Sequence, residues 1–143
     1  MTARLALLLV GVMATPLLAH HSFAAEYDVH RPVTLKGVVT KIEWTNPHSH
    51  VLIDVADDKG NTTTWKIELA SPMVLIQNGW RAKSIKLGDT IVVDGVLAKD
   101  QTAMANARLV TLADGRCLSA GSSGGDVPPA QQSLGSGHLG RFR

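Results

Sequence analysis

The chain has 143 residues, a formal net charge of +2 and one cysteine, Cys117. Residues 20–118 carry 11 basic and 11 acidic side chains, so they lack the clustered positive charge that nucleic-acid binding needs, and we expect no nucleic-acid partner. A lone cysteine excludes an intrachain disulfide, and the length is that of one domain with a modest core.

The first nineteen residues have the order of a secretory signal. Arg4 supplies positive charge, residues 5–12 (LALLLVGV) form an apolar run, and Pro16 precedes the small residue Ala19. The apolar run is too short to cross a bilayer, which disfavours a retained membrane anchor. We therefore expect cleavage after Ala19 and a periplasmic or secreted protein that is not an integral membrane protein after cleavage, with cleavage after Ala24 as the alternative.

The rest of the chain divides by composition into three parts. Residues 20–32 are predicted to form an N-terminal arm, and residues 33–118 a folded β-barrel. Residues 119–143 are rich in Ser, Gly, Pro and Gln. Such a segment buries too little apolar surface to offset its ordering entropy, so we predict a disordered tail.

Three stretches after the arm alternate apolar and polar residues as half-buried strands do: PVTLKGVVTKIEW (32–44), HSHVLIDVAD (48–57) and TTTWKIEL (62–69). The first changes parity around residues 37–39, where Gly37 predicts a bulge or a bend. The turn composition of residues 57–61 (DDKGN) joins the second and third stretches into a hairpin.

A short helix is predicted next, in SPMVLIQNGW (71–80), because Ser71 is a good N-cap, Pro72 suits the first helical position and Gly79 suits the stop. Residues 84–97 and 104–112 then supply two more strands. Five strands with a helix between the third and the fourth predict a mainly all-β protein, a small five-stranded OB-fold-like Greek-key barrel. An open five-stranded sheet or a small sandwich is the alternative.

Four histidines are the candidate metal ligands: His20, His21, His48 and His50. Residues two apart in a strand project from one face, so His48 and His50 can both turn toward one ion, and imidazole suits copper and zinc. Cleavage after Ala19 would add the free amine of His20, a donor set that suits Cu(II). The alternative is that His48 and His50 face solvent and that His20 and His21 belong to a polar arm.

Three further residues are candidates for ligand binding: Trp44, Asn46 and Trp80. The tryptophans could stack on a sugar ring, although core packing is the commoner role of such residues. Asn46 precedes Pro47, and Asn-Pro is typical of a turn. An oligosaccharide is the ligand that this set would favour.

No catalytic set can be assembled from the sequence, which contains no P-loop, dinucleotide fingerprint or HExxH motif. Cys117 follows Arg116 but has no assigned histidine base. Glu43 and Glu68 lie on neighbouring predicted strands and could form a carboxylate pair, but solvated strand edges are the commoner fate of such residues. We therefore expect no enzyme.

The sequence resembles a family of short exported bacterial proteins of unassigned function with an OB-fold-like barrel. The resemblance runs from His20 to about Arg116 and rests on HHSFAAEYD, PVTLKGVVTKIEWTNPH, the stretches around IELASP and GW, ANAR and DGR. It implies no established activity. His20, His21 and His48 match the family's motifs, whereas His50 and Cys117 depart from them, so the resemblance favours a metal site on the first three.

Together these features predict an exported, non-catalytic binding module of the bacterial envelope with copper or zinc as its ligand. Two alternatives remain, both without a metal. One is an envelope protein-interaction or scaffold module that uses the tail as a tether, and the other is an oligosaccharide binder.

Overall fold

The computed structural model describes residues 19–121, with side chains from Phe23 onward. The predicted signal peptide, apart from Ala19, and residues 122–143 of the predicted tail lie outside the described residues. The described elements in chain order are α1 (Ala19–Glu26), β1 (Tyr27–Glu43), β2 (Ser49–Ala56), β3 (Thr62–Leu69), α2 (Pro72–Gln77), β4 (Thr90–Ala98), β5 (Met104–Thr111) and β6 (Cys117–Ser119).

The protein is mainly β, as the alternation predicted, and its strands form one sheet in the order β3-β2-β1-β4-β5-β6. Neighbours in this order are antiparallel. Strand β3 also pairs in parallel with β5 through three residue pairs. This additional pairing brings the sheet partly round into a ring.

The described sheet has six strands where the sequence predicted five. The extra strand is β6, which pairs with β5 at Leu109, Val110 and Thr111. It forms because the chain reverses after β5 at Gly115, whose φ of +85° is a conformation that glycine adopts without strain. Order continues into the predicted tail, since the amide of Ala120 donates to the carbonyl of Arg108 at 2.9 Å.

Strand β1 begins at Tyr27, five residues before the predicted strand, and the helix α1 occupies the start of the predicted arm. The alternation of apolar and polar residues did not reveal this first part of β1. Its pairing with β4 is irregular between Tyr27 and Pro32, and proline has no N–H to donate. A bulge further along β1 lies between Val39 and Lys41 in its pairing with β2, beside the predicted change of parity.

The core fills the inside of the partly closed sheet. Its largest side chains that are 2% exposed or less include Val51, Ile53, Ile67, Leu69, Leu75, Trp80, Ile91, Val93 and Val110. The short helix forms as predicted: the Ser71 hydroxyl accepts from the amide of Val74 at 3.4 Å, and α2 contributes Leu75 to the core. No helix within residues 19–121 has the length and apolarity to cross a membrane.

Candidate functional site

A row of polar residues crosses the outer face of three strands. In the ladder registers, His50 of β2 lies opposite Glu68 of β3, and Glu68 lies opposite Asn106 of β5. Ile67 and Leu69 point into the core, so the alternation of a strand turns Glu68 outward. Glu68 is nevertheless only 7% exposed and Asn106 only 4%, which makes the row a buried polar cluster.

The carboxylate of Glu68 is held by two hydrogen bonds. The hydroxyl of Tyr27 donates to Oε2 at 3.0 Å, and the side-chain amide of Asn106 donates to Oε1 at 3.1 Å. A buried carboxylate requires such partners because removing it from water is costly. Burial, followed by the charge of Glu68, raises the pKa of Tyr27 well above its ordinary value, so its phenol stays protonated and remains a donor.

Two histidines approach the same carboxylate. Nδ1 of His48 lies 3.2 Å from Oε1 of Glu68, and Nε2 of His50 lies 3.9 Å from Oε2. Burial lowers the pKa of His50, the charge of Lys66 lowers it further, and Glu68 and Glu43 act in the opposite direction. His50 is therefore biased toward the neutral imidazole, which is the form that binds metals.

These side chains line a pocket of about 550 Å³, called here the polar pocket. It is lined by Glu26, Thr45, Asn46, Pro47, His48, His50, Lys66, Glu68, Ala98, Asp100 and Met104. Hydrogen bonds from the hydroxyl and amide of Thr102 lower the pKa of Asp100. The lining thus carries carboxylates from Glu26, Glu68 and Asp100 against one ammonium, that of Lys66, and this charge balance favours a cationic ligand.

The loop between β1 and β2 sets the position of His48. The peptide bond between Asn46 and Pro47 is cis, and the Thr45 hydroxyl donates to the carbonyl of His48 at 2.8 Å. Asn46 and His48 of this loop both line the polar pocket. Asn46 therefore lies with the candidate histidines rather than with the tryptophans.

The side chains of His20 and His21 lie outside the described side chains, although the backbone of both residues belongs to α1. Glu26, the last residue of the same helix, lines the polar pocket. Among the side chains of residues 23–121, no three His, Cys, Asp or Glu groups are arranged to hold a metal ion by themselves. A metal site there would need donors from elsewhere.

Trp44 and Trp80 form a separate apolar groove of about 220 Å³ with Pro72 and Ile76 of α2. Their rings meet edge to face with centroids 6.1 Å apart. Trp80 is 1% exposed and its indole N–H donates to the carbonyl of Ser119 at 2.7 Å, which makes it a core residue. Trp44 is 38% exposed and provides the accessible aromatic surface of the groove.

The structure also separates the other residues considered from the sequence. Glu43 lies opposite His50 in the register of β1 with β2, and its carboxylate is 2.6 Å from the ammonium of Lys41. Cys117 is exposed, and its nearest polar side-chain partner is the hydroxyl of Thr111, 3.4 Å away. Neither residue belongs to the polar pocket.

The sequence interpretation missed Tyr27, Lys66, Asn106 and the central position of Glu68. A signal for Glu68 was present, because the turn at 57–61 fixes the hairpin register that pairs it with His50. The contacts of Tyr27 and Asn106 depend on pairings across 41 and 38 residues, which no local pattern reports.

Comparison with known proteins places the chain in a family. The chain belongs to the family of unknown function DUF6152. The family model matches residues 7–106, which include the arm, strands β1 to β4, both helices and the first part of β5. No curated protein and no solved structure gives a significant match. The DUF6152 match therefore shows which family the chain belongs to but gives neither a reaction nor a ligand.

Proposed function

We propose that this DUF6152 protein is an exported, non-catalytic binding module with an OB-fold barrel, and that it takes a transition metal ion, Cu(II) or Zn(II), at the polar pocket. The OB assignment rests on the ring of pairings β1-β2-β3-β5-β4 and on the helix between β3 and β4. In OB-folds, ligands commonly bind on the face of strands 2 and 3, between the loops that follow the first and fourth strands. The polar pocket occupies this location.

One observation carries the metal proposal: His48 and His50 converge on a single buried carboxylate. Glu68 lies within 3.9 Å of both imidazoles, and carboxylates next to metal-binding histidines commonly orient them. In this arrangement Glu68 serves as the orienting carboxylate, because each of its oxygens already accepts a hydrogen bond from Tyr27 or Asn106. The histidines supply the nitrogen donors.

The remaining donors come from the first residues of the mature chain. Cleavage after Ala19 leaves His20 with a free amine next to its imidazole, and His21 follows. The seven residues from His20 to Glu26 are helical, so their first and last Cα atoms lie about 9 Å apart along the axis. Because Glu26 lines the polar pocket, the proposal requires residues 20–22 to turn toward His48 and His50.

The test is metal titration of protein that starts at His20. Calorimetry with Zn(II), and competition against a chelator for Cu(II), should give binding tighter than micromolar. The double variant His48→Ala/His50→Ala should weaken it at least tenfold. His30→Ala removes an exposed histidine of β1 and should leave the affinity unchanged.

Two further samples separate the polar pocket from the terminus. One residue added before His20 removes the terminal chelate, and a peptide of residues 20–26 measures chelation by the terminus alone. Micromolar or weaker binding by the whole protein would refute the proposal. So would equal affinity of the double variant and the unchanged protein, because the pocket histidines would then contribute nothing.

The apolar groove supports a second candidate function, an oligosaccharide binder without a metal. The partly exposed ring of Trp44 beside Pro72 and Ile76 is the kind of surface on which a sugar ring stacks. Glycan addition should then change the tryptophan fluorescence of the protein but not that of Trp44→Ala. Fluorescence that no glycan changes would count against this candidate.

A further inference from the structure

One wall of the polar pocket comes from outside the barrel. This wall is formed by Glu26, which belongs to residues 23–27, called here the docked arm. Tyr27 is buried in a small cluster with Val96 and Ala98 that is separate from the main core. Phe23 packs against Tyr27 with ring centroids 5.5 Å apart, and Glu26 lines the pocket itself.

Besides the buried ring of Tyr27 and its bond to Glu68, hydrogen bonds from Lys99 fix the docked arm to the barrel. The backbone of Lys99 donates to the carbonyl of Glu26 at 2.9 Å, and its ammonium donates to the carbonyl of Ala24 at 2.5 Å. Tyr27 pairs with Ala98, and the regular pairing with β4 resumes only at Pro32. The arm is therefore joined to the barrel through a short segment without regular pairing to β4, and its docking can change while the ring of strands stays intact.

The hydrogen bond from Tyr27 joins this docking to the ligand site. Oε2 of Glu68 accepts from Tyr27 and lies nearest His50, while Oε1 accepts from Asn106 and lies nearest His48. If the arm leaves, Oε2 loses its fixed donor, and only the bond from Asn106 to Oε1 still holds the carboxylate. Its position relative to the imidazoles, that of His50 above all, is then less well fixed.

We infer that Tyr27 is a positioning residue that acts through Glu68, and that docking of the arm and occupation of the polar pocket are thermodynamically coupled. The inference rests on the proposed function, because it takes a metal ion as the ligand. By linkage, whatever the docked arm adds to metal affinity, the bound metal adds to arm docking. Disturbing a carboxylate that orients metal-binding histidines commonly costs about tenfold or more in affinity.

Tyr27 is the single tyrosine of the chain, which allows a direct measurement. Protein that starts at His20 and is labelled with 3-fluorotyrosine gives one ¹⁹F resonance, which reports the surroundings of the docked arm. Adding Zn(II) should shift this resonance, and the shift should saturate with the dissociation constant that calorimetry gives. Tyr27→Phe keeps the ring but removes the donor, so it should weaken Zn(II) binding about tenfold.

A matched control is Thr64→Val, which also removes one hydrogen bond from a side-chain hydroxyl to a carboxylate. Thr64 lies on β3 and donates to Asp54 at 2.6 Å, and it is not among the residues that line the pocket. Its Zn(II) affinity should stay within twofold of the unchanged protein. Phe23→Ala, which loosens the arm without touching Glu68, should weaken binding in the same direction as Tyr27→Phe.

The outcomes separate this inference from the proposed function. If Zn(II) binds but the ¹⁹F resonance does not move, or Tyr27→Phe binds with unchanged affinity, the coupling is refuted and the metal site stands. A loss of thermal stability in Tyr27→Phe with unchanged affinity also refutes it, because the role of Tyr27 would be structural only. Absence of Zn(II) binding by the unchanged protein overturns both proposals.

Discussion

Replacing Gly95 with alanine tests how closely the strands that build the polar pocket are packed. Gly95 lies at a register shift in the pairing of β4 with β5, opposite Ala107. A Cβ at this position would overlap the carbonyl oxygen of Asn106 and lie 3.0 Å from the carbonyl carbon of Asn106 and 3.2 Å from Cα of Ala107. These are backbone atoms, so no side-chain rotation can relieve the overlap.

The cost of Gly95→Ala should therefore lie at the upper end of the range for overpacking, about 3 kcal/mol of unfolding free energy. For a domain of this size that corresponds to a fall in Tm of roughly 12–20 °C. Because the strand that must move carries Asn106, a donor to Glu68, Zn(II) affinity should fall as well.

Urea denaturation followed by tryptophan fluorescence measures the free energy, and Gly121→Ala provides the control. A Cβ on Gly121 would have its nearest contact at 3.6 Å, to the carbonyl oxygen of Ala107, which is ordinary packing. This control should change stability by no more than about 0.5 kcal/mol. If Gly95→Ala also changed the free energy of unfolding by no more than about 0.5 kcal/mol, the packing argument would be refuted.

Three other predictions use single side chains. Glu68→Ala leaves the buried donors of Tyr27 and Asn106 without their acceptor and should lower the free energy of unfolding by about 2–4 kcal/mol in urea denaturation. Glu68→Gln keeps an acceptor and should lower this free energy by less. Equal losses in the two variants would contradict the reasoning. The pKa of His50 lies below its ordinary value of 6.5, so the unfolded chain gains a proton before the folded chain does. The stability contributed by His50 is present above pH 6.5 and is lost as the pH falls below it. The free energy of unfolding should therefore change less between pH 7 and pH 5 in His50→Gln than in the unchanged protein. An equal change in both would show that groups other than His50 cause the pH dependence. Trp80→Phe removes buried volume and the bond to the Ser119 carbonyl, so it should lower the free energy of unfolding by about 2–3 kcal/mol. Trp44→Ala should lower it by less than about 1 kcal/mol. A larger loss in Trp44→Ala than in Trp80→Phe would contradict the burial of the two rings.

Alternation along the chain was enough to predict most strands of the ring and the short helix between them. Val51, Ile53 and Ile67 point inward, as the alternation of a half-buried sheet requires. Helix α2 begins directly after Ser71 because the Ser71 hydroxyl caps it. These features depend on interactions within a few residues, so local sequence carries them.

The polar pocket depends on long-range pairing, so only part of it could be predicted from the sequence. His48 and His50 were selected from their spacing, and the structure brings both near Glu68. The burial of Glu68 could not be predicted, because it requires Tyr27 from the arm to cover the outer face of β3 and Asn106 to arrive on β5. Whether His20 and His21 join them stays a prediction.

The parallel pairing of β3 with β5 spans three residue pairs, whereas β2 and β3 share eight. This short seam has the fewest residue pairs of the strand pairings in the ring, so amide exchange by partial opening should begin there. One of its three pairs is Glu68 with Asn106, which means that opening the seam separates the polar row. A ligand that holds Glu68 in place would keep β3 paired with β5 and the ring closed. The edges of these two strands would then not be exposed to pair with neighbouring chains.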